Sequence, residues 1–563
     1  MSHLHSHFKD EINWLFFQLT RKNNDACIKN IETRLHDTLT LLKTKVATSN
    51  EFVPYLKILY RFIGFTRDNY KGIGEKTLSH VILYVFFNVF PVLGIYALHR
   101  LVKVSSEVGP QYYFGCWKDM KQICIYAYNN SSMGENHSII HYIGRIVNTQ
   151  LSHDAETWKF SANCFSKTHI SNVAKYIPRE KSNHGWLFEK LAIDWIQHSK
   201  PYILTTATNA DSRARAILKS KRMYRKVVSS LNKCLDTTET RLCNHDHNQL
   251  DLQAISLLTA VNKEPTFLNI NSSCEDTRIA ADFKQLALHN GQHSVNQFEC
   301  GQSYSKISIY HIIKFAIRLY ETDNDTVKDS DIAIVNKLWN DMYLNTIKTC
   351  KKNMIIPLLD VSYGMNDENL YSAIGISILL SHTSNLYKRI IAVDKLPTWI
   401  DLSTTDNIVD QVGRVMTCIK SMYNTRPNFS AAIELCIHAV EAINVHSVRP
   451  SFVDNYKIVL LSDFNHFPVD SSPVYELFHL HNSDCLPTTV FWNMNNHDCV
   501  DIHTSIDSSH SMVLSGYSSS HIHNLCNANT NSKKSMYRRI SKMVSNKRFD
   551  CFSDYVDKMI QLF

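Results

Sequence analysis

Residues 353–373 read NMIIPLLDVSYGMNDENLYSA. The apolar run 354–359 is continuous rather than alternating, as expected of a strand buried on both faces of a parallel sheet. Pro357 lies inside it and cannot donate to a ladder, which argues against a central position. The run ends at Asp360, followed by Ser362 and Gly364, and residues 370–380 then carry a helical pattern with Ile374, Ile378 and Leu379 inward. Asp360 and Ser362 are two apart and point the same way if the extended backbone persists. A carboxylate and a hydroxyl at a strand end are hard oxygen ligands suited to Mg2+ or Mn2+. An aspartate in this place can equally serve as a turn residue or helix cap.

The same grammar continues towards the C-terminus. Residues 389–393 are strand-like, 407–422 and 429–443 helical, 457–461 (KIVLL) a strand ending in Ser462 and Asp463, and 489–492 (TVFW) and 511–514 further strands. Strands alternating with helices predict an α/β, doubly wound parallel sheet, in which ligands sit at the carboxyl ends of the strands. Asp360 and Asp463 are both expected there.

Residues 1–348 read mainly as helices, with apolar stripes at 50–63, 186–196 and 338–347. Polar stretches at 242–249 and 290–305 interrupt the pattern, and TDNDTVKDSD (322–331) reads as a linker or helix start. Residues 81–98 carry no charge over 18 residues, close to the lower limit for crossing a bilayer. Asn88 and Pro91 interrupt them, so two buried helices broken near Phe90 are predicted in place of a membrane span. The 15 cysteines include no C-x-x-C pair. No secretory start precedes them, and reduced thiols are the expectation. The 28 histidines show no H-E-x-x-H spacing and are read as incidental.

Longer composite segments carry a resemblance. DVSYGM (360–365) is similar to the metal-ion-dependent adhesion loop D-x-S-x-S-M of von Willebrand factor A-like domains. RPNFSAAIELC (426–436), KIVLLSDF (457–464), PTTVFWNM (487–494) and VLSGYS (513–518) resemble later segments of the form of this domain found in an uncharacterised family of plant and giant-virus proteins. Upstream, IGFTRDNYKGIGEKTLSHVILY (63–84), FGCWKDMKQIC (114–124), YIPREKSNHGWLFEKLAIDW (176–195) and YRKVVSSLNKCLD (224–236) resemble that family's helical part. The layout is similar to that of the Ro ribonucleoprotein family, a ring of HEAT-like helical repeats joined to an A-like domain. The resemblance implies a helical domain at 1–348, an A-like domain at 349–530 and a basic C-terminal helix at 531–563. It also implies an adhesion-type metal site on Asp360, Ser362, Thr425 and Asp463. The site is degenerate: Gly364 stands where a second serine belongs, and an alternative alignment puts Pro427 rather than Thr425 in the threonine position.

Two segments are strongly basic, at a formal net charge of only +8: RARAILKSKRMYRK (213–226) and residues 533–548, each with seven Lys or Arg. In the first, Ile217, Tyr224 and Leu231 would share the buried seam of a helix. Arg213, Arg215, Lys219, Lys221, Arg222, Arg225 and Lys226 are then candidates for contact with an RNA backbone, or simply a solvated face. A metal-assisted hydrolase at Asp360 and Asp463 would need a positioned base or nucleophile, which the sequence does not single out. The expectation is therefore a non-enzymatic scaffold that binds RNA through its helices and a protein partner through its A-like domain. The alternative is a virion or packaging component acting only through protein contacts. Either belongs inside the cell, in host cytoplasm or viral factory, or in the particle, with no membrane partner.

Overall fold

The computed structural model describes residues 2–68, 71–104, 112–164, 170–237, 309–321, 329–347, 355–361, 365–384, 386–421, 427–444, 456–465, 469–480, 486–496, 498–500, 510–516, 521–522, 525–526 and 535–560. They divide into two compact units. One draws on Met1–Ile31, Asn69–Glu75 and Asp251–Asn546, the other on Glu32–Asp68, Lys76–Leu250 and Lys547–Phe563.

The first unit is built on six strands: β1 (Ile355–Asp360), β2 (Arg389–Val393), β3 (Thr398–Asp401), β4 (Lys457–Ser462), β5 (Thr488–Asn493) and β6 (Ser511–Ser515). Their order is β3-β2-β1-β4-β5-β6, parallel throughout except for β3, which runs antiparallel to β2 at one edge. The strands β1, β4, β5 and β6 are buried at every position, and this is why they read as uninterrupted apolar runs. From β1 the chain moves outward to β2 and β3, then returns to the other side of β1 as β4. The strand order therefore reverses between β1 and β4, and such a reversal opens a crevice at the carboxyl ends.

Pro357 sits in a central strand after all. β2 pairs with β1 only from Leu358 onward, so at Pro357 the ladder is one-sided, with Val459 of β4 as its register partner. The missing N–H is tolerated on the open side. Strand β3 (TWID) has no counterpart in the sequence reading.

Helices Ile309–Glu321 and Asp329–Ile347 precede β1, yet Ile312, Ile313, Val335 and Trp339 share one core with Ile374, Leu359 and Trp492. The division at 348/349 expected from sequence therefore does not coincide with that of the structure. Helix Ser2–Phe17 also belongs to this unit. The segment after it lies along the end of the sheet: Phe17 O accepts from Asn493 Nδ2 (3.0 Å) and Ser515 Oγ (2.8 Å). Gln18 exchanges two hydrogen bonds with the backbone of Val500. This docking brings Cys27 and Cys499, 472 residues apart in sequence, to a Cα–Cα distance of 5.7 Å as a disulfide. The expectation of reduced thiols fails for this pair, because it rested on local spacing and the pairing is set by tertiary docking.

The second unit is helical among its described residues. Helix Lys76–Val89 ends at Phe90 and helix Pro91–Leu101 begins with proline at its first position, as the sequence predicts. No helix among the described residues is long and apolar enough to cross a membrane. The basic C-terminal segment forms not one helix but two, Met536–Val544 in the first unit and Asp550–Ile560 in the second. Asp550–Ile560 packs on Val53–Arg67 through Lys57–Asp557 and Arg61–Asp550 ion pairs, with the Phe552 ring seated against Gly64.

Candidate functional site at the carboxyl rim of the sheet

The last residues of β1 and β4 meet at the strand-order reversal. Leu359 is in register with Leu461, so Asp360 faces Ser462, and the Ser462 hydroxyl donates to Asp360 Oδ2 at 2.5 Å. Asp463 follows immediately and is buried, as is Asp360. Asp463 Oδ1 and Oδ2 accept from the backbone N–H (3.0 Å) and the Nδ2 (2.7 Å) of Asn465. Between them Phe464 holds a left-handed backbone with φ of 57°. A large aromatic residue adopts this conformation at a cost of roughly 1–2 kcal/mol. Its ring is fixed against Phe17 and Phe491, and its N–H donates to Ser462 Oγ.

A layer of asparagines extends the rim along β5. Asn495 donates Nδ2 to Asn465 Oδ1 (3.1 Å), Asn366 donates to Asn496 Oδ1 (2.6 Å), and Asn366 also caps helix Asp367–Thr383. The N-terminal segment closes over this layer. Thr20 Oγ1 and Lys22 Nζ donate to Asn495 O, Lys22 also to Asp498 O, and the Asn23 N–H to Asn496 O. Burial pushes the Lys22 ammonium down to about 7, against the opposing pull of Asp498.

Of the four metal ligands expected from the resemblance, the structure brings Asp360 and Asp463 to one rim. Ser362 and Thr425 lie outside the described residues, as does Gly364; Pro427 is described and precedes helix Phe429–Asn444. Among the described residues no group of three or more His, Cys, Asp or Glu side chains is arranged to hold a metal. Asp360 and Asp463 are hard oxygen donors of the kind that divalent ions such as Mg2+ take. They form a partial set that water or further oxygen ligands would complete. Ser462 was not singled out in the sequence; the only signal for it is its place one residue before Asp463.

The basic segment lies on helix Ala210–Leu235. Its buried seam is Ala216, Ser220, Tyr224, Val228 and Leu231, with Ile217 half-buried beside it. Lys221 pairs with Glu189 (3.0 Å) and Glu180 (3.6 Å), and Arg225 pairs with Glu180. Glu180 thus pairs within its own unit. Arg213, Arg215, Lys219, Arg222 and Lys226 are exposed, and no ion pair is found for them among the described residues. In the second basic segment Arg539 donates to Ser511 O, and Arg548 makes a two-pronged pair with Asp68 at 2.8 and 3.0 Å.

A buried charge cluster in the helical unit was not foreseen. Arg67 grips Asp119 at 3.2 and 2.9 Å, His80 Nε2 lies 2.9 Å from Asp119 Oδ1, and the Cys116 N–H donates to Asp119 Oδ2 at 2.6 Å. Burial alone would raise the Asp119 carboxyl, but the His80 and Arg67 contacts outweigh it and hold the group well below the usual carboxylate range. Arg67, Asp68 and His80 lie in the 63–84 segment and Cys116 and Asp119 in the 114–124 segment. These two sequence signatures therefore encode an internal electrostatic clasp.

No family model matches the chain. An alignment with an uncharacterized protein of Acanthamoeba polyphaga mimivirus runs over 487 residues at 22% identity, covering 84% of this chain and 76% of that protein. The chain is similar to a giant-virus protein. That likeness extends over both the helical part and the sheet-bearing part, and it supports a distant giant-virus relationship.

Proposed function

We propose that the chain is a non-enzymatic scaffold whose sheet-bearing unit works as a von Willebrand factor A-like binding module and whose helical unit contacts RNA. The observation that carries the first half is the meeting of Asp360, Ser462 and Asp463 at the strand-order reversal, where open α/β sheets take their ligands. On this reading Asp360 and Asp463, with Ser362 and Thr425 as further oxygen ligands, hold Mg2+ or Mn2+. A carboxylate of a protein partner completes the coordination of the ion. The exposed cations of helix Ala210–Leu235 support the second half.

Mn2+ titration followed by the electron paramagnetic resonance of the free ion tests the module directly. Saturable binding is expected in the native chain and its loss in Asp463→Ala; equal behaviour of the two proteins would sink the ion site. The likeness to a mimivirus protein favours a second reading, a viral component that acts through protein contacts alone. Purification from the cells that make it, with sequencing of bound nucleic acid, separates the two: co-purifying RNA supports the first, RNA-free complexes the second.

A further inference from the structure

We infer that the Cys27–Cys499 disulfide is a reversible redox latch that fixes the N-terminal strap on the carboxyl rim and so regulates the Asp463 side of the candidate ion site. The inference rests on the reading of that rim as a binding site, but the latch itself stands on separate geometry. The strap, residues 17–24, reaches the rim through the Phe17 ring on Phe464 and a row of polar contacts to backbone: Asn493 to Phe17 O, Thr20 and Lys22 to Asn495 O, Asn23 to Asn496 O, and Gln18 to Val500. Arg21 adds an ion pair at 2.8 Å to Glu368 in the first turn of helix Asp367–Thr383. The polar chain continues inward, from Asn495 Nδ2 to Asn465 Oδ1 and from Asn465 to both carboxylate oxygens of Asp463. Whatever orders the strap therefore orders the Asp463 carboxylate through two asparagines.

The disulfide ties down both ends of this assembly. Cys27 follows the strap by three residues and is buried, whereas Cys499 follows Asn495 by four and is half-exposed. An external dithiol has access to the Cys499 sulfur. Its thiolate attacks Cys499 Sγ, the S–S bond breaks, and the electron pair leaves on Cys27, which takes up a proton. The second thiol of the reductant then attacks the mixed disulfide and releases Cys499 as a thiol. Two electrons and two protons pass to the protein, and the reductant closes to its own disulfide. Without the disulfide the strap is held by the Phe17 ring, the hydrogen bonds above and the Arg21–Glu368 pair rather than by a strand ladder, so it opens more readily than the body of the sheet.

The test compares full-length protein equilibrated with oxidised glutathione, the same protein reduced with dithiothreitol, and the Cys499→Ser variant under both conditions. Peptide mapping must find the Cys27–Cys499 link in the first sample; its absence overturns the proposal. Hydrogen exchange at Asn23 and Val500 is expected to rise about tenfold on reduction while the amides of β4 stay protected. Cys499→Ser is expected to match the reduced protein whatever the oxidant. Mn2+ affinity is expected to fall at least about threefold in parallel, as the carboxylate loses its fixed position. Equal exchange in oxidised and reduced protein overturns the latch. An exchange difference with unchanged Mn2+ affinity overturns its coupling to the site. Absence of Mn2+ binding in both forms overturns the ion-site reading, and the exchange data then decide the latch alone.

Discussion

The salt dependence of RNA binding tests the exposed face of helix Ala210–Leu235 most directly. Seven cations lie between Arg213 and Lys226, but the structure removes three from the count. Lys221 and Arg225 are neutralised by Glu180 and Glu189, and Arg213, although exposed, stands in the first turn off the line of the other four. Arg215, Lys219, Arg222 and Lys226 recur at i, i+4, i+7 and i+11, a single stripe about 16 Å long opposite that seam. Four phosphates neutralised on a single strand correspond to a slope of log K against log salt of about −2.8. Affinity should then fall roughly 50-fold between 50 and 200 mM salt. Fluorescence anisotropy of a labelled, unstructured RNA across that range measures the slope. Joint replacement of the four by glutamine should abolish it, whereas Lys221→Gln should leave it unchanged and weaken the packing of the helix instead. A slope near zero in the native protein, or one that survives the fourfold replacement, refutes the assignment of this face to RNA.

The Arg67–Asp119 clasp should behave as a buried ion pair. Asp119→Ala strands a buried guanidinium and should cost about 3–5 kcal/mol in urea unfolding, while Arg67→Met combined with Asp119→Leu should recover most of it. A single-variant loss below about 1 kcal/mol would contradict the pairing. Acid should weaken the sheet-bearing unit through two buried histidines, each held down to about 4: His382 by burial and then the charge of Lys388, His521 by burial. Both stay neutral in the folded chain while the unfolded chain takes up protons below about 6.5, so stability is whole above that pH and is lost as pH falls towards 4. The loss should reach about 3 kcal/mol per histidine, and replacing both by glutamine should flatten the stability profile between pH 6.5 and 4. Finally, Gly375→Ala would drive a methyl group into the Ile309 and Ile313 side chains. Overpacking of about 1–3 kcal/mol is expected, relieved in part by Ile309→Ala, and thermal melts of the single and double variants would read it.

What the sequence disclosed and what it hid follow from the range of the forces involved. β1, β4, β5 and β6 were legible because strands buried on both faces must be apolar at every position. The switch point was legible because Asp360 and Asp463 end two such runs. β3 was not, because TWID is a short edge strand with a single buried residue, Ile400, where the apolar requirement lapses. The sheet-bound helices Ile309–Glu321 and Asp329–Ile347 fall in a stretch that reads as mainly helical, with its apolar stripe at 338–347, but gave no sign of their partner, since an amphipathic stripe says only that something covers it. The same holds for Cys27 and Cys499, and for Arg67 and Asp119, which lie 52 residues apart. The basic helix announced its charge, but the carboxylates that cancel part of it lie elsewhere in the chain, Glu189 on helix Gly185–Ser199 and Glu180 in the turn before it.

The two buried polar assemblies differ in a way that separates structure from function. Around Asp119 every group is answered: two guanidinium contacts, one imidazole and one backbone N–H saturate the carboxylate, and no ligating capacity is left pointing at a cleft. Such a clasp specifies how the helices assemble. The carboxyl rim is strained as well as buried. Asp360 and Asp463 are buried on adjacent strands, Phe464 is held in an unfavourable backbone conformation between Ser462 and Asn465, and the buried Asn496 Nδ2 lacks a hydrogen-bond partner among the described residues. Apolar residues of similar volume would make that rim more stable. Paying strain and desolvation at the one place where strand order opens a crevice is what a site for a charged ligand requires, and a purely structural edge has no use for it.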